Sequence, residues 1–92
     1  MKITFDPAKR EQTLRERHLD FMDAPEVLSG LRIEQEDDRF DYGETRVMTV
    51  GFLKGRMMII IWTRRDAARH IISMRKANAR EQKKYQIRLG RS

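Results

Sequence analysis

Hydrophobic and polar positions change period several times along the 92-residue chain, and each change marks an element. Met1-Lys2-Ile3-Thr4-Phe5 reads as a strand. Asp6-Pro7 is a helix start: the carboxylate accepts from open first-turn amides, and Pro at the first helical position loses no bond it would have made. A polar helix is expected from about Pro7 to Arg17, packing lightly through Ala8 and Leu14. Phe21, Ala24, Pro25 and Leu28 then fall at i, i+3, i+4 and i+7, which makes one apolar helix face. Asp20 is a candidate cap and Gly30 a candidate stop, with Asp23 as an alternative start because of Pro25. Leu31 and Ile33 alternate with Arg32 and Glu34, the pattern of a half-buried strand.

The second half is richer in strand signals. An acidic turn, Glu36-Asp37-Asp38, and the loop Asp41-Tyr42-Gly43 precede Thr45–Leu53, a run of strand formers. Lys54-Gly55 supplies a tight turn. Met57–Trp62 is continuously apolar and reads as a central strand covered on both faces. Residues 67–76 fit a helical face through Ala67, Ile71, Met74 and Ala77, and fit a strand through His70-Ile71-Ile72-Ser73. The strand is preferred because Ile71-Ile72 is β-branched and a better helix start lies downstream. Asn78 with Glu81 three residues later is a capping-box pattern, so a last helix should run from near Ala79 to about Ile87. The tail Leu89-Gly90-Arg91-Ser92 is expected to fray. This order predicts an α+β fold: an antiparallel β-sheet meander with two N-terminal helices and one C-terminal helix packed on it.

The length predicts a single domain over residues 1–92, with room for a shallow site rather than an engulfing pocket. There is no cysteine, which excludes disulfides and thiolate metal sites. His18 and His70 stand far apart, so no metal site and no cofactor is expected. The longest apolar run, Met57–Trp62, is far short of the ~20 residues of a membrane span, and a soluble cytoplasmic protein is expected. Charge is the most telling global feature. Net charge is +6, but residues 1–46 hold 8 Lys/Arg against 12 Asp/Glu (−4), and residues 47–92 hold 12 against 2 (+10). A half so basic attracts polyanions by long-range steering.

Several residues are candidates for chemistry. As a strand, 69–75 places Arg69, Ile71, Ser73 and Arg75 on one face and His70, Ile72 and Met74 on the other. Arg75-Lys76 leads into a helix whose Arg80, Lys84 and Arg88 form a basic ridge. Strand end and helix start together would make a phosphate-binding concavity; the alternative is a solvated basic face. Glu81 reads better as a cap than as a catalytic carboxylate. Trp62 and Tyr85 read better as core than as stacking platforms. His70 titrates near neutrality and is a candidate proton carrier, whereas His18 sits in a connection. Glu44 and Arg46 share a strand face, either as an ion pair or as a base beside a phosphate-binding guanidinium. No nucleotide loop, catalytic triad or zinc-protease pattern is present.

The sequence resembles the BrnT toxin family. The match is carried by Phe5-Asp6-Pro7-Ala8-Lys9, Leu19-Asp20-Phe21 with Ala24 and Val27, Tyr42-Gly43-Glu44 with Arg46, Gly51, Gly55-Arg56 and Trp62-Thr63. Above all it rests on Ile71-Ile72-Ser73-Met74-Arg75-Lys76-Ala77-Asn78 followed by Arg80-Glu81 and Tyr85. The resemblance implies a RelE-like fold and an endoribonuclease toxin of a type II toxin–antitoxin system that inhibits translation. It implies neutralisation by a BrnA-type ribbon-helix-helix antitoxin in a heterotetramer that reaches operator DNA only through the antitoxin. Two positions depart from the family pattern: Glu16-Arg17-His18 stands where many members have Lys-His-Gly, and His70 where many have Arg. The second matters for chemistry, because Arg holds phosphate as an always-charged fork and His does so only when protonated.

Metal-free RNA cleavage needs a base for the ribose 2′-hydroxyl, cations for the crowded phosphate and an acid for the leaving oxygen. Arg75 and Arg46 are the expected phosphate stabilisers, and His70 or Glu44 the proton-transfer group. Lys9, Arg64, Arg69, Lys76, Arg80 and Lys84 are expected to hold the flanking RNA backbone. A non-catalytic nucleic-acid-binding module and a partner-binding module are the competing readings of the same basic face.

Overall fold

The computed structural model describes residues 1–39 and 41–90. Strand β1 (Ile3–Phe5) leads directly into helix α1 (Pro7–Arg17). Asp6 caps α1, its carboxylate accepting from the Ala8 amide at 2.9 Å. His18 ends α1 in the left-handed region, with φ 57°. A 3₁₀ turn over Phe21–Asp23, capped by Asp20, runs into α2 (Ala24–Ser29). Both candidate starts are therefore used, one for each piece. Pro25 stands in the first turn of α2, where its missing N–H removes no helical bond. Gly30 ends α2 with extended backbone (φ −93°), not with a left-handed cap.

The remaining elements are β2 (Ile33–Glu36), β3 (Arg46–Leu53), β4 (Arg56–Arg65), β5 (Ala68–Lys76) and α3 (Ala79–Arg88). They form one five-stranded sheet in the order β1-β5-β4-β3-β2. Strands β2 to β5 pair antiparallel in succession, but β1 pairs parallel to β5. The sheet is thus mixed, which corrects the expectation of an antiparallel one. β1 pairs with the last strand of the chain, and α1 then continues in the same direction past the β5 edge, where Arg17 Nη1 reaches the Met74 carbonyl. Leu31 is also corrected. It lies outside β2 and is 58% exposed. The fold is α+β, and no helix among the described residues is long and apolar enough to cross a membrane.

The tight turns follow from backbone chemistry. Lys54 and Gly55 both have positive φ (51° and 80°), the conformation a two-residue hairpin between β3 and β4 needs to match strand twist. Gly51 has a different role. A Cβ there would meet Val27 Cγ1 and the Val27 carbonyl at 2.9 Å, so its hydrogen lets α2 press onto β3.

Side chains of the sheet pack in two layers. One holds Leu19, Phe21, Ala24, Val27 and Leu28 against Leu53, Met58, Ile60, Trp62, Ile71 and Met74. The other holds Tyr85 and Leu89 against Val50, Met57, Ile59 and Ala77. Trp62 is core, as the sequence indicates: it is buried and its indole N–H donates to Thr49 Oγ1 at 2.8 Å. Helix α1 packs lightly but not through its apolar residues. Leu14 is 43% exposed, Thr13 is buried instead, and Arg17 Nη1 donates to the Met74 carbonyl on the β5 edge at 2.9 Å. Leu89 is buried, against the expectation that it frays, while Arg91 and Ser92 of that tail lie outside the described residues.

Candidate active site

A β-bulge decides which residues of β5 share a face. Ser73 pairs with Ile61 and Ile71 with Trp62, so Ile72 has no opposite number. One extra residue reverses the alternation beyond it. Ile71 and Met74 consequently sit in the same core layer, with Arg69 over the Trp62 ring at 4.9 Å. His70, opposite Thr63, then falls on the same face as Ser73 and Arg75, opposite Ile61 and Ile59. Strict alternation predicts the reverse for His70 and Arg75. The structure corrects it and puts the two on one side of the sheet.

That side is covered by α3 at one end only. At the other end Arg46, Met48, Ile61, His70 and Ser73 are half-buried and partly open. Four segments supply the polar groups there. Thr4 on β1 is in register with His70, and its Oγ1 lies 2.9 Å from His70 Nδ1. Arg65, at the end of β4, reaches Glu44 at 3.8 Å, and Glu44 lies 3.6 Å from Arg46 Nε. Arg46 opens β3 directly opposite Thr63, whose hydroxyl is spent on the Thr45 carbonyl at 2.7 Å. Burial pushes the His70 imidazole below its ordinary pKa, and Arg65 pushes the same way; Glu44 and Asp6 pull it up, and Lys9 lowers it. The net effect favours the uncharged ring. An uncharged imidazole offers no fixed charge to a phosphate, but it can accept a proton.

Arg46 is the most constrained cation of this group. Its guanidinium lies over the Tyr42 ring, 3.8 Å from the centroid. Its Nε is buried and has no acceptor at hydrogen-bonding distance. Arg32 Nε is the other such atom among the described residues, but it lies closer to a carboxylate, 3.2 Å from Glu34. A buried donor without an acceptor is costly, and the nearest carboxylate oxygen, of Glu44, stands just beyond bonding distance at 3.6 Å.

Arg75 occupies the α3 end of the same face. It forms a two-bond fork with Glu81, 2.8 Å on each arm. Glu81 also closes the capping box, accepting from the Asn78 amide at 2.9 Å while Asn78 Oδ1 accepts from the Glu81 amide at 2.8 Å. Glu81 is both a cap and the partner of Arg75, and the Arg75 guanidinium holds its carboxyl down at about 2. The start of α3 is thus occupied by its own side chains. This corrects the open phosphate-binding concavity expected at strand end and helix start. Beside the fork lies a hollow of about 240 Å³, lined in part by Asp37, Arg39, Met48 and Tyr85. Asp37 is buried against Arg39 in a second two-bond fork, of 2.7 and 3.0 Å.

The expected backbone-holding cations do not gather. Lys9, on α1, is near enough to His70 to influence its titration. Arg64 and Arg69 lie over Trp62 in the opposite layer. Lys76, opposite Met58, lines hollows at the far end of the sheet. Arg80 and Lys84 are exposed on α3, with Lys84 5.2 Å from the Tyr85 ring.

A family model for the ribonuclease toxin BrnT of type II toxin–antitoxin systems matches residues 5–81. The chain belongs to the BrnT family. A search of curated proteins finds no match. The BrnT match contains Glu44, Arg46, Arg65, His70, Arg75 and Glu81, and begins one residue after Thr4. Thr4 and Arg65 escaped the sequence reading. Thr4 comes into reach only through the parallel pairing of β1 with β5. Arg65 looked like one more cation in a basic half, and the only signal for it was its two-residue spacing from Thr63 on one strand face.

Proposed function

We propose that this BrnT toxin cuts RNA without a metal ion, on the open half-face that carries His70, Glu44, Arg46 and Arg65. The observation that carries the proposal is the gathering of a histidine, a carboxylate and two guanidiniums on one partly open sheet face, with Glu44 3.6 Å from Arg46 and 3.8 Å from Arg65. In the reaction His70 takes the proton of a ribose 2′-hydroxyl. The 2′-oxygen bonds to phosphorus and the P–O5′ bond breaks. The product is a 2′,3′-cyclic phosphate and a 5′-hydroxyl whose proton comes from solvent. Arg46 and Arg65 stabilise the charge that gathers on the phosphate, and Glu44 orients both guanidiniums. Arg75, held by Glu81, and Lys9 contact the flanking backbone. Arg64, Arg69 and Lys76, on the other layer, have no part in cleavage.

The remaining parts of the reading come from family membership. They are a RelE-like fold, translation inhibition in the cytoplasm and a BrnA-type ribbon-helix-helix antitoxin in a heterotetramer. Purified protein incubated with RNA and EDTA tests the enzymatic part. Cleavage should persist with chelator and slow by about 10²-fold or more in His70→Ala, which removes the proton acceptor. Salt-sensitive RNA binding without cleavage would instead support a binding module.

A further inference from the structure

The His70 ring has two nitrogens, and the chemistry proposed above requires one bare nitrogen facing the open sheet surface. Among the described residues, Thr4 alone hydrogen-bonds the ring, with Oγ1 2.9 Å from Nδ1. That contact depends on two features of the fold. Parallel pairing of β1 with β5 puts Thr4 in register with His70. Register partners on neighbouring strands share a face, so Thr4 and His70 lie on one side of the sheet, while Ile3 and Phe5 on either side of Thr4 pack in the opposite core layer. A single turn of β1 is thus anchored by two apolar side chains and presents one hydroxyl to the ring.

We propose that Thr4 is the positioning residue of the cleavage site: its hydroxyl accepts from His70 Nδ1–H and so leaves Nε2 bare as the nitrogen that takes the 2′-hydroxyl proton. The proposal rests on the ribonuclease reading above. A hydroxyl can accept a bond from Nδ1–H in both charge states of the ring, so the orientation survives proton uptake. Among the described residues no other group near the ring replaces it. Glu44, Arg65, Asp6 and Lys9, the charged groups that face His70, act on it through space and make no hydrogen bond to it. Thr63, directly opposite, has spent its hydroxyl on Thr45. The histidine–threonine pair therefore resembles the base–orienter arrangement of other acid–base sites, in which a third group fixes which nitrogen carries the proton.

Thr4→Val keeps the β-branched shape and removes the acceptor, and Thr4→Ser restores it. Long-range ¹H–¹⁵N spectra of the full-length protein read the His70 tautomer directly, and single-turnover cleavage of RNA across pH reads the consequence. The expected results are Nδ1–H in the native protein, a mixture containing Nε2–H in Thr4→Val, and a rate loss of about tenfold, below the ~10²-fold that loss of a whole proton-transfer group costs. A hydrogen bond accepted by Thr4 favours the protonated ring, so in Thr4→Val the acid limb of kcat/KM should move to lower pH. Thr4→Ser should regain the native tautomer, rate and pH limb. If the native protein cuts RNA but Thr4→Val keeps its tautomer and acid limb, or Thr4→Ser restores neither, the positioning role is wrong and the ribonuclease reading stands. If the native protein cuts no RNA, both fall together.

Discussion

Replacing Glu81 with Gln separates the two bonds this residue makes. Gln at the same helix position still accepts from the Asn78 amide, so the capping box survives. The charge that faces Arg75 is lost, and with it the fork of two 2.8 Å bonds. The magnitude follows from the titration. The Glu81 carboxyl is lowered from 4.5 to about 2, first by the hydrogen bonds from Arg75 and then by the Asn78 amide, against a burial cost that raises it. At 1.36 kcal/mol per pKa unit this sets an upper bound of about 3 kcal/mol. The side chains of Arg75 and Glu81 are 41% and 21% exposed, so water screens the pair. A loss of about 1–2 kcal/mol is expected. The sign is fixed by linkage: a carboxyl held low in the folded state stabilises fully above its unfolded value, and that contribution fades as pH falls from about 4.5 to 2. Urea denaturation of both proteins at pH 6.5 and at pH 2.5 tests this. The gap in midpoint should be clear at pH 6.5 and mostly closed at pH 2.5. A gap of equal size at both values would refute the ion-pair argument and leave only a packing or capping effect.

Gly51→Ala should destabilise the fold by about 1–3 kcal/mol, because the new methyl meets Val27 backbone as well as side chain at 2.9 Å; thermal denaturation measures it. Trp62→Phe should lower stability by about 1–2 kcal/mol, since it leaves the buried Thr49 hydroxyl without the indole donor, and chemical denaturation reads that loss. His70→Gln should slow single-turnover RNA cleavage by about 10²-fold or more while keeping a polar group beside Thr4, with far-ultraviolet circular dichroism unchanged.

Much of the fold is legible in the chain because local signals agreed with tertiary packing. The Asp6-Pro7 start, the Lys54-Gly55 turn and the Asn78/Glu81 box each use a backbone requirement that few residues satisfy, and each appears in the structure. The parallel pairing of β1 is not legible. A three-residue strand carries no mark of its partner's direction, and its partner, β5, lies more than sixty residues away in the chain. The candidate site was harder still. Glu44 and Arg46 are two residues apart, and their ion pair is one of the two readings the sequence offered, although Glu44 lies in the bend before β3 and not on the strand. His70 and Arg75 share a face only because Ile72 is bulged, and nothing in His70-Ile71-Ile72-Ser73 announces an inserted residue. Charge counting overreached for a similar reason: it summed Arg64, Arg69 and Lys76 with Arg65, although the sheet separates them.

The central claim is that cleavage occurs on one half-face of the sheet and depends on the cations there, not on basic charge at large. Single-turnover RNA cleavage in EDTA by Arg46→Ala and Arg64→Ala compares a cation from each layer at equal change in net charge. The account predicts a loss of about 10²-fold or more for Arg46→Ala and a rate within about twofold of native for Arg64→Ala. Equal losses, or a native rate in Arg46→Ala with the fold intact, would contradict it.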